Sequence, residues 1–74
     1  MNAEITKVGL LDMQVCVPKE WSDEQAEGFA NKEHPAGTAN GWRLRDADNR
    51  AQAGAPIRVQ CTKHADNVHI MMSC

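Results

Sequence analysis

Hydrophobic and polar positions alternate in VGLLDMQVCVP, residues 8–18, where Leu11, Met13, Val15 and Val17 fall on one side and Asp12, Gln14 and Cys16 on the other. A period of two predicts a half-buried strand, and Pro18 ends it. The pattern then changes. Ser22 is followed three positions later by Gln25, with Asp23 and Glu24 between them, which predicts a capped helix start whose acidic first turn suits the helix dipole. Trp21 precedes the cap, placed to pack on Ala26. Ala26, Phe29 and Ala30 supply an apolar stripe, and Pro35 forces a stop near Glu33. Gly28 interrupts the helix and is expected where another element approaches closely.

AGTANG, residues 36–41, is a turn cluster, and WRLRD resumes alternation with Trp42 and Leu44 inward and Arg43 and Arg45 outward. ADNRAQAGAP, residues 47–56, is a polar loop longer than a tight hairpin needs, which marks it for movement or contact. IRVQC predicts a third strand with Ile57, Val59 and Cys61 on one face. TKHADN turns the chain, and VHIMMS predicts a fourth with Val68, Ile70 and Met72 on one face. The expected fold is α+β: one domain, residues 1–74, with a small, mostly antiparallel sheet of about four strands in the order β-α-β-β-β and one helix packed on one face. The expected core is Leu11, Met13, Val15, Val17, Trp21, Phe29, Trp42, Leu44, Ile57, Val59, Val68, Ile70 and Met72. The uncovered face would carry Asp12, Gln14, Cys16, Arg43, Arg45, Arg58, Gln60, His69 and Met71, and the outer strands would leave edges open to a partner strand or a second copy.

Length and charge narrow the function. Seventy-four residues bury only about 60% of the unfolded chain's surface, so a partner or an ion would add useful stability. The net charge of −2 argues against a general polyanion binder. Acidic residues dominate positions 1–37, whereas residues 38–74 carry five basic and three acidic side chains. No apolar run is long enough to cross a bilayer, and the N-terminus has no secretory signal pattern, which points to a soluble cytoplasmic protein without membrane contact. In a reducing compartment Cys16, Cys61 and Cys74 are expected as thiols.

The tail CTKHADNVHIMMSC spaces Cys61, His64, His69 and Cys74 as in a zinc knuckle. Such a site needs four ligands converging at about 2.0–2.3 Å on one ion. The stretch contains no glycine for the tight turns, and strand alternation points His69 and Cys74 to opposite faces. The expectation is therefore a turn and a strand with no metal and no cofactor, the knuckle standing as an alternative. Cys16, His34 and Asp12 could form a nucleophile, base and orienting group, but no local elbow accompanies them and no catalytic residue is assigned. Arg43, Arg45 and Arg58, with Gln60 and His69, would make a patch suited to phosphate or carboxylate. The aromatics that a single-strand binder needs are all assigned to the core. Solvated pairing of the arginines, for example with Asp12, is the plainer reading.

VCVPKEWSDEQAEGFANKEHP, followed by NGWRLRD and VHIMM, resembles small uncharacterised proteins encoded by bacteriophages and prophages, over residues 9–73. The resemblance carries no functional residue with it. It implies a small accessory protein in a bacterial host cytoplasm, where such proteins modulate host machinery. The expectation is a non-enzymatic interaction protein that binds a host protein through the open sheet face or an edge. Binding of nucleic acid or another anion through the arginine patch is a second, less favoured expectation, and homodimerisation through a sheet edge is left open.

Overall fold

The computed structural model describes residues 3–35, 41–46, 48, 50 and 54–74. Two seven-residue strands, β2 (Asp12–Pro18) and β5 (Asn67–Ser73), pair antiparallel along their whole length and form the centre of the fold. Their register sets Met13 opposite Met72, Val15 opposite Ile70 and Val17 opposite Val68. Directly opposed residues share a face, so the two alternating runs add up to one apolar surface. Met13, Val15, Val17, Ile70 and Met72 are fully buried there.

Strand β1 (Glu4–Lys7) pairs with the outer side of β2 and sets Ile5 opposite Val15. On the far side of β5 lie two short strands: β3 (Arg43–Leu44), with Leu44 opposite Met72, and β4 (Arg58–Gln60). All these pairings are antiparallel, so the α+β expectation holds with one strand more, in the order β-β-α-β-β-β. The extra strand, EITK, is four residues long and too short to show a period. The residues between β1 and β2 form a turn in which Val8 and Gly9 both donate backbone N–H groups to the Asp12 carbonyl. Leu11, expected in the core, belongs to that turn and is exposed.

Helix α1 (Asp23–Glu33) starts as its sequence requires. The Gln25 backbone N–H donates to Ser22 Oγ at 3.2 Å, and the Ser22 N–H donates to Gln25 Oε1 at 2.8 Å. Ala26 and Ala30 are buried, and the short side chains let the helix lie close on the sheet. Trp21 and Phe29 meet edge to face with centroids 5.7 Å apart and pack against the same core. Gly28 faces open space, with nothing within 4 Å of an added Cβ, which corrects the expectation of close approach.

The helix end is tied to β3 by polar bonds. The Trp42 indole N–H donates to the His34 carbonyl, and the Asn31 side chain accepts from the Trp42 backbone N–H while donating to its carbonyl. These bonds satisfy groups that a helix end and a short edge strand would otherwise leave open. Of the expected turn 36–41 only Gly41 is described. It has φ +69°, a left-handed conformation that glycine adopts without steric cost. In the long loop, Asp46 Oδ1 accepts from the Asp48 and Arg50 backbone N–H groups, and Asp46 bridges to Pro56. Residues 47, 49 and 51–53 lie outside the described residues.

Candidate functional site

On the sheet face away from the helix, the register aligns Glu4, Cys16, His69 and Val59 in one row across β1, β2, β5 and β4. Cys61 follows β4 directly, and its backbone N–H donates to the Asn67 carbonyl at 3.0 Å. That placement brings the Cα atoms of Cys16 and Cys61 to 6.3 Å, and the two form a disulfide. The distance lies within the normal span of such a bond. This overturns the expectation that both are thiols: 45 positions separate them in sequence, and only the sheet brings them together. Cys74 lies outside the bond.

His69 completes the group. One ring nitrogen of His69 and the two sulfurs lie within 4.8 Å of one another. His69 Nδ1 is enclosed and has no hydrogen-bond partner. A buried polar atom left so costs on the order of 1–3 kcal/mol, so this nitrogen marks a place where something is missing from the bonding pattern. The group opens into a cavity of about 150 Å³ lined also by Glu4, Thr6, Thr62 and Lys63. At its rim, His64 Nε2 lies 2.6 Å from Glu4 Oε1. That contact is an ion pair when the imidazole is protonated.

The residues expected to form an arginine patch divide between the two faces. Arg43 lies opposite Ser73, on the face of His69, and Arg45 pairs with Asp12 at 2.7 Å. Arg58 lies opposite Ile70, on the helix face, and forms an ion pair with Asp23 in the first helical turn. Gln60 lies opposite Val68 and donates its amide to the Ala65 carbonyl at 3.0 Å. The proposed knuckle ligands are likewise not gathered. Cys74 packs against the core, His64 is engaged by Glu4, and only Cys61 and His69 come together, with Cys16 as the third member. Cys16, His34 and Asp12 are also apart in role: His34 caps the helix C-terminus, Asp12 holds Arg45 and Cys16 is bonded to Cys61.

Sequence reasoning placed Cys16 outward and Cys61 inward, which hid their pairing. No local signal in the sequence reports that pairing: Arg58 lies on the helix face, where it meets Asp23, so its neighbours in β4 alternate the other way from the expected phase. Among the described residues no helix is long and apolar enough to cross a membrane. Neither the family models, nor the curated proteins, nor the solved structures include a match to the chain.

Proposed function

We propose that the chain is a non-enzymatic interaction protein that docks an extended segment of another protein on its β1 edge and the adjoining hairpin tip. The observation that carries this reading is the tip itself: Val8, Leu10 and Leu11 are 56%, 94% and 62% exposed within four residues. Scattered surface leucines are ordinary, whereas three large apolar side chains at one turn make a contact patch. β1 ends the sheet beside that turn and offers its outer backbone groups for strand addition. Apolar side chains on the added strand would cover Leu10 and Leu11.

The likeness to phage-encoded proteins supports a host protein as partner and a bacterial cytoplasm as location. Recognition of nucleic acid is the weaker reading, because Arg45 and Arg58 are engaged by Asp12 and Asp23 on opposite faces. The test uses immobilised full-length protein and a Leu10→Asp, Leu11→Asp variant against bacterial lysate, with light scattering on each free protein. A partner retained by the parent and lost by a variant of unchanged circular dichroism supports the proposal. Identical retention by both, or a parent dimer that the variant abolishes, overturns it.

A further inference from the structure

We propose that Cys16, Cys61 and His69 form a redox-gated metal site, which takes up one Zn²⁺ when the two cysteines are reduced and releases it when they join. The inference is independent of the docking surface. Two thiolates and one imidazole are a common zinc donor set, with the fourth position left to water or a solute. Their donor atoms are already within 4.8 Å of one another. Breaking the S–S bond frees each sulfur to turn about its Cα–Cβ bond, so closing on an ion at about 2.0–2.3 Å needs side-chain rotation only.

Three further observations favour an ion over a purely structural bond. The unpartnered Nδ1 shows that His69 is held in place without a hydrogen bond there, and a ring flip exchanges which nitrogen faces the sulfurs. The cavity on the same residues gives an entry path and room for the fourth ligand. Charge also balances: two thiolates neutralise the dication, so a site in which both cysteines are buried carries no net charge. Glu4, opposite Cys16 and in contact with His64, supplies a carboxylate at the rim.

The gating step is a thiol–disulfide exchange with a small-molecule disulfide. The Cys16 and Cys61 thiolates lose two electrons and form the S–S bond. The external disulfide gains those electrons and leaves as two thiolates, and Zn²⁺ departs because both sulfur ligands are consumed. An external dithiol reverses the exchange. A reducing cytoplasm would hold the metal-ready form, and oxidative stress would empty it.

The test is a zinc titration of full-length protein, reduced with a phosphine under nitrogen, against a chromophoric chelator, with a matching titration of the oxidised protein. The expected result is one zinc per reduced chain, none per oxidised chain, and release of zinc on adding oxidised glutathione. His69→Gln should weaken binding by about 100-fold or more, since even changes to groups around a ligand cost 10–100-fold. Cys74→Ser should leave it unchanged. No stoichiometric zinc in the reduced protein, or binding indifferent to His69→Gln, overturns the proposal. So does binding lost with Cys74→Ser, which would return the site to the tail. Where reduction unfolds the chain, refolding on addition of zinc that requires His69 supports the site, and failure of zinc to refold it overturns it.

Discussion

Strand β5 has two flanks that are held in different ways. On one side β2 pairs with it over seven residues, and every second pair adds to a single apolar surface beneath the helix. On the other side β3 covers two residues and β4 three, and β4 is exposed throughout. The first flank is held by packing. The second is held by separate local devices: the Trp42 bonds to the helix end, the ion pair of Arg58 with Asp23, and the bond from Cys61 to Cys16. Packed surface resists perturbation collectively, whereas each local device can be removed singly, which places the parts able to change state, the disulfide first among them, on the second flank.

The sharpest break of the first flank is Ile70→Ala. Ile70 is fully buried opposite Val15, at the centre of the core, so the substitution leaves a cavity bounded by both long strands. The expected loss is about 2–5 kcal/mol, a large share of what a small domain has. Urea unfolding of the oxidised protein measures it. A loss below about 1 kcal/mol would mean that the β2–β5 seam is not the mechanical centre.

The same contrast explains what could be read from the sequence. Alternation in DMQVCVP and VHIMMS fixes both the strand type and its inward side, because the inward letters are all apolar whereas the opposite letters include Asp12, Gln14, His69 and Ser73. In IRVQC the period is as clear, but the phase is not: the pattern points Ile57 and Val59 inward, whereas β4 pairs with Val59 opposite His69 and both apolar side chains exposed. A one-residue change of phase moves every side chain to the other face. What decided it were long-range links, Arg58 to Asp23 and Cys61 to Cys16, at separations of 35 and 45 positions, which no local pattern reports. His69 and Cys61 were legible as candidate ligands, and their spacing supplied the wrong companions because Cys16 comes from the other end of the chain.

A smaller effect is expected at the start of β3. Gly41 has φ +69°, and a Cβ there would lie 2.5 Å from Asn31 Oδ1, the atom that accepts from the Trp42 N–H. Gly41→Ala combines left-handed strain with displacement of that bond and should cost about 1–2 kcal/mol. Trp42 is nearly buried, so its fluorescence would shift to the red if its tie to the helix end loosened. A stability loss without that shift would place the strain in the turn alone. An unchanged protein would show that the second flank does not depend on this anchor.

The smallest effect tests the phase of β4 directly. Val59 is 57% exposed and lies opposite His69 on the face away from the helix. Thr has nearly the shape of Val and a good strand preference, so Val59→Thr at an exposed position should change stability by no more than about 0.5 kcal/mol. Were Val59 turned into the core, as its alternation with Ile57 and Cys61 suggests, the same change would bury a hydroxyl and cost about 1–3 kcal/mol. Urea midpoints of the oxidised variant separate these two outcomes. The phase has a second consequence, because Val59 and Cys61 alternate together: a Val59 turned inward would carry Cys61 inward with it, away from Cys16. A near-neutral Val59→Thr in a chain that still forms the Cys16–Cys61 bond, assayed by thiol counting, therefore fixes the phase of β4 and the floor of the candidate site with a single variant.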